Sequence, residues 1–199
     1  MTKSTSLFIE SIFINEGNPL NLKWHQQRVE KTFKKYFPEY KPFSVIESIT
    51  GDFTGLQKCR ITYSSYVEKI ELEPFIPKEI KTLKIVKSGD FDYAYKFANR
   101  DTLNSLRNQR ENCDDILISI YGYLTDTSFA NIVLFDGENY YTPDPPLLYG
   151  TKRAQLLEKN IIKPIAIKET DLPKFQELHM INALANLGEY VVNIEDIRS

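Results

Sequence analysis

One lysine of this sequence stands among aromatic residues, which is an uncommon setting for an amine. Lys96 lies in the stretch "YAYKFANRDTL", residues 93–103, and Arg100 follows four positions later. Burial disfavours the charged ammonium and lowers the pKa of a lysine, and a nearby guanidinium acts in the same direction. Such an amine can attack a carbonyl carbon and bond to it covalently. The alternative is that the stem of Lys96 packs on the tyrosines while its ammonium reaches water.

A second candidate site is the junction between a proline-rich loop and a predicted helix in "PDPPLLYGTKRAQLL". Gly150 precedes the helix, so the backbone N–H groups of Thr151 and Lys152 would face a bound anion, which the helix dipole favours. The spacing is not that of a P-loop or of a dinucleotide-binding fingerprint. Taken alone, the pattern also fits an ordinary loop-to-helix junction.

Two further charged residues could take part in binding. Arg28 lies three positions after His25 on a predicted helix, and a guanidinium can grip a phosphate with two hydrogen bonds. Asp126 lies among small and apolar residues in "GYLTDTSFAN", where a carboxylate could pair with a cationic ring nitrogen. The alternatives are a solvent-facing or salt-bridged arginine and a turn aspartate that bonds to its own backbone.

The elements that must position these residues are mixed helices and strands. Asn21 can cap the helix that follows it, and the Asp136-Gly137 pair between "IVLF" and "YYTP" predicts a hairpin. Ile70 and Leu72 alternate with charged residues, as in a half-solvated sheet. Strands are predicted in "LFIESIFIN", "LKIV" and, twice, in "KCRITYSSYVEKIELEPF", and helices in "LKWHQQRVEKTFKKYF", "NRDTLNSLRNQR" and "TKRAQLLEKN".

The predicted fold class is α+β. We expect an N-terminal α/β lobe at residues 1–86, a linker at 87–92 in "KSGDFD", and a β-rich C-terminal lobe at 93–199. The chain has 199 residues, which is enough for one large domain or two small ones with a real core.

The bulk composition excludes several classes of function. A net charge of −2 gives no electrostatic footprint for nucleic acid. We find no run as long and apolar as a membrane span and no signal-peptide pattern, so we expect a cytoplasmic protein. Its two cysteines, Cys59 and Cys113, lie far apart and are expected to be reduced and buried. With two histidines in the chain, a histidine-rich metal site is not expected.

The order of the motifs along the chain resembles the class IV aminotransferase family, the fold-type IV pyridoxal-phosphate enzymes. This order is "HQQR", "YKFANR", "GYLTDTSFANIVLFDGENYYTP", "LLYGTKRAQLL" and "HMINAL", and the resemblance spans roughly residues 7–195. It implies a two-lobed fold with the cofactor cleft between the lobes, pyridoxal 5'-phosphate as the cofactor, an active site near a subunit interface, and hence a homodimer.

The same resemblance assigns roles to individual residues. Lys96 matches the lysine that bonds to the cofactor aldehyde and then serves as general base and acid. Asp126 falls where the family usually has a glutamate facing the pyridine nitrogen. Glu10 lies in the strand where relatives carry Phe-Glu-Thr, without an assigned role. The residues matched to the phosphate side of the cofactor are Arg28, Thr151, Lys152, Asn182 and Ala183.

Within the family, the resemblance favours 4-amino-4-deoxychorismate lyase, a small-molecule enzyme of folate synthesis. Ala183 stands where the branched-chain enzymes have a threonine, and the lyases also read Asn-Ala-Leu there. The "K-x-x-N-R" run at Lys96 is likewise similar to the lyase. The alternative within the family is an aminotransferase acting on branched-chain or D-amino acids. An alternative of another class is a non-catalytic binding protein that retains the fold, because Asp126 is shorter than the usual glutamate.

Overall fold

The computed structural model describes residues 6–51 and 53–199, and this part of the chain forms two compact units. The first contains the described residues up to Pro77 together with Tyr95–Asn99, and the second contains Lys78–Ala94 and Arg100–Ser199. Helices and strands occur together in the chain, which confirms the predicted α+β class.

This division differs from the predicted boundaries at 86 and 93 because backbone pairing crosses both of them. Strand β5 (Leu83–Ser88) pairs in parallel with β6 (Asp115–Ile120), so the end of the predicted N-terminal lobe and the start of the predicted linker lie in the sheet of the second unit. Tyr95–Asn99 belongs to the first unit. There the N–H of Ile9 donates to the carbonyl of Lys96 at 2.9 Å, and the N–H of Ala98 donates to that of Leu7 at 2.8 Å.

The first unit is a four-stranded antiparallel sheet in the order β2-β1-β3-β4, with two helices. Its core is aromatic: Phe8, Phe33, Phe37 and Tyr63 are buried and lie in mutual ring contact. The elements are β1 (Phe8–Asn15), β2 (Asn18–Pro19), α1 (Leu22–Tyr36), α2 (Val45–Ser48), β3 (Leu56–Tyr63) and β4 (Val67–Pro74).

Helix α1 turns one face towards this core. The residues buried on it are His25, Arg28, Val29, Thr32 and Phe33, which recur every three or four positions as an amphipathic helix requires. Two of them are potentially charged, so the helical period that buries Val29 and Phe33 also carries His25 and Arg28 into the interior. Asn21 precedes the helix as predicted, but its backbone is left-handed and its side chain makes no capping hydrogen bond.

The second unit contains a nine-stranded mixed sheet. The order is β10-β9-β8-β7-β6-β5-β13, and β11 pairs with both β8 and β12. Apolar side chains from the central strands, such as Leu117, Ile132 and Leu178, form its core. The elements not yet given are α3 (Asp101–Arg107), β7 (Tyr123–Thr127), β8 (Asn131–Phe135), β9 (Tyr140–Pro143), α4 (Thr151–Glu158), β10 (Lys163–Ile165), β11 (Glu177–Ile181), β12 (Val191–Asn193) and β13 (Ile197–Arg198), with 3₁₀ turns at Asn108–Arg110, Glu169–Lys174 and Ile194–Asp196.

Most of the predicted elements are confirmed, including the hairpin of β8 and β9 at Asp136-Gly137, where Gly137 has a φ of 102°. The expectation of a half-solvated strand at Ile70 and Leu72 is wrong. Strand β4 is an edge strand, and these two residues are 41% and 43% exposed, like the charged residues on either side of each. In the part of the chain that the structure describes, no helix is long and apolar enough to cross a membrane.

Candidate functional site

A buried cluster of charged and polar side chains occupies the interior of the first unit. The carboxylate of Glu10, on strand β1, is fully buried and accepts hydrogen bonds from two residues of helix α1. Arg28 donates from Nε to Oε1 at 2.8 Å and from Nη2 to Oε2 at 2.5 Å, and Nδ1 of His25 lies 2.5 Å from Oε2. Because Arg28 grips the carboxylate with two parallel bonds, the plane of its guanidinium is fixed.

The charges in this cluster follow from burial and from the ion pair. Burial alone would raise the pKa of Glu10, but the charge of Arg28 and the hydrogen bonds from His25 and Arg28 outweigh it and lower that pKa to about 2. Burial also lowers the pKa of His25, and the charges of Arg28 and Lys96 add to the effect. At neutral pH the cluster is therefore an ionised Glu10 paired with Arg28, and a neutral His25 whose Nδ1–H donates to Glu10.

Lys96 lies in the same unit as this cluster. Its neighbours Tyr95 and Phe97 pack in the aromatic core, where Tyr95 contacts Tyr36 and Phe97 contacts Phe8 with ring centroids 5.1 and 4.9 Å apart. The segment is irregular rather than helical, and Lys96 itself is half-buried. Its ammonium is near enough to lower the pKa of His25, so the structure brings Lys96 and Arg28 to one region of the first unit.

Asp126 lies on strand β7 of the second unit and is 3% exposed. Its Oδ1 accepts from the side-chain amide of Asn131 at 2.8 Å, and its Oδ2 accepts from the backbone N–H of Leu148 at 2.8 Å. Burial raises the pKa of Asp126 to about 7, although both hydrogen bonds and the charge of Arg153 oppose that rise. This carboxyl is therefore held in place and titrates near neutrality, which is common for groups at functional sites.

The start of helix α4 has the features of an anion site. Gly150 precedes the helix, and a Cβ at this position would lie 2.0 Å from Oδ1 of Asn131. The hydroxyl of Thr151 is buried, and no hydrogen-bond partner for it lies among the described residues. The first N–H groups of any helix also lack intrahelical acceptors. A buried hydroxyl and these N–H groups together present donors to an anion.

The remaining predicted residues lie in or beside this region. The ammonium of Lys152 donates to Oδ1 of Asn186 at 2.7 Å and to Gln155 at 3.1 Å, so its backbone N–H, not its ammonium, is the candidate anion donor. Asn182 accepts from the N–H of Leu184 at 2.8 Å and so shapes the tight turn that contains Ala183. Lys152 therefore ties helix α4 to Asn186, which directly follows the turn between Asn182 and Ala185.

Comparison with known proteins identifies the family. The model for amino-transferase class IV matches residues 48–189 of this chain. The chain belongs to the class IV aminotransferase family. An uncharacterised protein of Haemophilus influenzae is 33% identical to it over 183 residues, which cover 89% of this chain and 97% of that protein.

Two solved structures have the same fold as this chain. A Haemophilus somnus 129PT protein, provisionally assigned as a 4-amino-4-deoxychorismate lyase, is 35% identical, with a TM-score of 0.86 and coverage of 92% of this chain and 98% of that chain. A hypothetical aminotransferase from Mycobacterium tuberculosis in its pyridoxal-phosphate-bound form is 14% identical, with a TM-score of 0.74 and coverage of 96% and 81%. The second likeness shows the fold alone.

Class IV aminotransferases depend on pyridoxal phosphate, and several residues of this chain fit that cofactor. The buried hydroxyl of Thr151, which has no hydrogen-bond partner among residues 6–51 and 53–199, and the helix start that needs glycine at position 150 fit a phosphate. The buried carboxyl of Asp126 fits a protonated ring nitrogen. Within residues 6–51 and 53–199, no group of three or more His, Cys, Asp or Glu side chains could hold a metal ion.

The sequence alone assigns no structural role to Glu10, His25 or Asn131 of this chain. Glu10 anchors Arg28 and His25, and Asn131 contacts Asp126. A signal for Glu10 was present, because it is the one acidic residue in the apolar run "LFIESIFI". The spacing of three predicts that His25 and Arg28 share one side of the helix, but it does not reveal that both contact Glu10. Asn131 falls inside the same motif as Asp126, but its second partner, Leu148, lies 17 positions further along the chain.

Proposed function

We propose that this chain is a pyridoxal-phosphate-dependent 4-amino-4-deoxychorismate lyase that releases pyruvate and 4-aminobenzoate for folate synthesis. The observation that carries the proposal is the 35% identity, over 92% of the chain, to the Haemophilus somnus protein provisionally assigned that activity. The Asn182-Ala183-Leu184 turn and the "K-x-x-N-R" run at Lys96 support the same choice.

Lys96 is the proposed catalytic residue. When bound, pyridoxal phosphate supplies an electron sink for the pair of electrons left on the carbon that bears the amine. Lys96 would hold the cofactor covalently until the substrate amine takes its place, and its amine would then remove the proton from the ring carbon that bears nitrogen. The ether C–O bond to the three-carbon group would then break with its electron pair on oxygen, and the same amine would return a proton to the methylene carbon of that group, which leaves as pyruvate. Because one proton leaves and one is gained, the reaction needs no outside oxidant or acid.

Asp126 would hold a proton on the ring nitrogen of the cofactor. In the protein alone its pKa is about 7, because burial disfavours the carboxylate. A cationic ring nitrogen in front of it would favour the ionised form. We therefore expect cofactor binding to lower the pKa of Asp126 and to convert it into the counter-ion of the ring.

The start of helix α4 would bind the phosphate of the cofactor. Arg28, which the resemblance also matches to the phosphate, is pre-oriented within the first unit by its two bonds to Glu10, so its guanidinium does not have to be ordered when an anion binds. At helix α4, the hydroxyl of Thr151 and the backbone N–H groups of Thr151 and Lys152 would donate to phosphate oxygens. Asn182 and Ala183 would form the neighbouring turn.

A second candidate function is amino transfer to a keto acid from a branched-chain or D-amino acid. The observation that favours it is the match of residues 48–189 to the amino-transferase class IV model. The residues that hold the cofactor and the amine of Lys96 serve both reactions, so these residues do not discriminate between the two. Only the fate of the substrate carbon skeleton does.

The test is reconstitution of the purified chain with pyridoxal phosphate, followed by two product assays. The lyase proposal expects 4-aminobenzoate and pyruvate in equal amounts from 4-amino-4-deoxychorismate, with no need for a keto acid. Keto-acid-dependent amino transfer without pyruvate release would support the second candidate. Failure to bind pyridoxal phosphate at all would support a non-catalytic binding protein. The homodimer stays a prediction, which the mass of the protein in solution would test.

The matched control for these assays is a pair of lysine variants. Lys96→Ala should abolish product formation, because no other group is proposed to move the proton. Lys87→Ala should leave product formation unchanged, because the Lys87 side chain is 80% exposed and pairs only loosely with Glu169 at 3.8 Å. Equal activity in the two variants would overturn the assignment of Lys96.

A further inference from the structure

Asn131, the first residue of strand β8, is buried and hydrogen-bonded to two different parts of the second unit. It is 4% exposed, and its side-chain amide is the donor in two short hydrogen bonds. One goes to Oδ1 of Asp126 at 2.8 Å, and the other goes to the backbone carbonyl of Leu148 at 2.7 Å. Both hydrogens of the amide are therefore used, and each is given to a group that is itself buried or part-buried.

The bonds of Asn131 close a ring through the loop that leads to helix α4. Oδ2 of Asp126 accepts from the N–H of Leu148 at 2.8 Å, while the carbonyl of Leu148 accepts from Asn131. Both backbone groups of one loop residue are thus held by the Asp126–Asn131 pair. A shift of this loop relative to the carboxyl of Asp126 would have to break at least one of these bonds.

The same side chain also reaches the residue that starts the helix. A Cβ on Gly150 would lie 2.0 Å from Oδ1 and 3.1 Å from Cγ of Asn131, so the amide fills the space that a side chain at position 150 would need. The backbone of Gly150 is extended, with φ −71° and ψ 147°, which any residue adopts. The requirement for glycine here therefore comes from Asn131 and not from backbone strain.

We propose that Asn131 is a positioning residue that fixes the carboxyl of Asp126 relative to the start of helix α4. The inference rests on the proposed function, in which Asp126 receives the ring nitrogen of pyridoxal phosphate and helix α4 receives its phosphate. The covalent structure of the cofactor fixes the separation of these two groups. A protein that binds both must therefore hold its carboxyl and its helix start at a matching separation, and Asn131 is the side chain that touches both sides.

Asn131 also acts on the ionisation of Asp126. A donor at Oδ1 favours the carboxylate, as do the N–H of Leu148 and the charge of Arg153, while burial opposes it. Loss of the amide would remove one donor and raise the pH at which Asp126 ionises. A residue with a purely structural role, remote from the carboxyl, would leave that midpoint where it is.

The test compares Asn131→Leu, which is close in size but has no donor, with the wild type and with Asn193→Ala. Asn193 is an exposed residue of β12 whose amide lies 3.4 Å from Asp196. Binding of pyridoxal phosphate and of inorganic phosphate is titrated for each protein. The cofactor must contact both Asp126 and the start of helix α4. Asn131→Leu should therefore weaken the binding of pyridoxal phosphate by about tenfold to a hundredfold, and the binding of inorganic phosphate by much less. The control should bind both ligands as the wild type does.

A second measurement needs no cofactor. The carboxyl carbon of Asp126 is followed by NMR across pH in protein labelled with ¹³C-aspartate. Asn131→Leu should move its midpoint to higher pH, and Asn193→Ala should not. If Asn131→Leu does not fold, Asn131→Asp replaces it, because the new carboxyl fills the same volume but opposes ionisation of Asp126. The pH midpoint for ionisation of the two neighbouring carboxyls should then rise as well.

The outcomes separate this inference from the proposed function. If the wild type binds pyridoxal phosphate and Asn131→Leu binds it equally well, the positioning role is overturned and the proposed function stands. An equal loss for both ligands would also overturn it, since Asn131 would then act on the phosphate side alone. If the wild type binds inorganic phosphate but not pyridoxal phosphate, the proposed function fails and the inference fails with it.

Discussion

Substitution of Glu10 tests how much the buried ion pair between Glu10 and Arg28 stabilises the first unit. Replacing Glu10 with Gln keeps the shape of the side chain but removes its negative charge. His25 can adapt, because its ring can present a nitrogen lone pair to the new amide. Arg28 cannot, since its guanidinium stays charged and is 8% exposed. The variant therefore removes the negative charge that pairs with a buried guanidinium.

The size of the effect follows from the pKa of Glu10. A fall from 4.5 to about 2 corresponds, at about 1.36 kcal/mol per unit, to roughly 3 kcal/mol of stability at pH 7. Breaking buried pairs of this kind typically costs about 3–5 kcal/mol. Because the pKa is lowered in the folded state, this stability is present above pH 4.5 and is lost as the pH falls towards 2. The gap between wild type and Glu10→Gln should shrink in the same range.

The assay is urea unfolding of both proteins at several pH values between 7 and 3. Glu73→Gln is the matched control, since Glu73 pairs with Lys58 in the same sheet at 2.6 Å but is 61% exposed. Exposed pairs contribute less than about 1 kcal/mol, so this variant should unfold almost as the wild type does. A loss below 1 kcal/mol for Glu10→Gln at pH 7, or a gap that does not change with pH, would refute the reasoning.

Three further predictions concern the second unit. Thr151→Val removes a hydroxyl without a partner among the described residues, so stability should hardly change, while pyridoxal phosphate should bind about tenfold to a hundredfold more weakly in a titration. Gly150→Ala should destabilise the fold by about 1–3 kcal/mol in urea unfolding, since the new Cβ meets Asn131. The raised pKa of Asp126 means that its contribution to stability is present below about pH 4 and is lost as the pH rises through about 7, so Asp126→Asn should flatten the stability profile in that range.

Local patterns in the sequence predicted the elements well, because helices and hairpins depend on near neighbours. The Asp136-Gly137 turn and the helical period of Val29 and Phe33 are both present in the structure. The boundaries of the units were not predictable in the same way. Strand β5 is tied to β6 across 26 intervening residues, and Tyr95–Asn99 returns to strand β1, so both assignments depend on long-range hydrogen bonds.

In the candidate site, too, the sequence predicts the chemically important residues but not the residues that they contact. Lys96, Arg28 and Asp126 could be selected because an amine, a guanidinium and a buried carboxyl have recognisable chemistry. Their partners could not, because Glu10 lies 18 positions from Arg28 and Leu148 lies 22 positions from Asp126. Strand β4 was misjudged for a related reason, since alternation predicts a buried face only where another layer covers the sheet.

Mass spectrometry can identify the lysine that bonds to the cofactor. The purified chain is loaded with pyridoxal phosphate, reduced with borohydride to fix the bond, digested, and analysed. We expect the mass of the cofactor on the peptide that contains Lys96, and none on the Lys96→Ala protein. Labelling confined to other lysines, or equal labelling of Lys96→Ala, would contradict it.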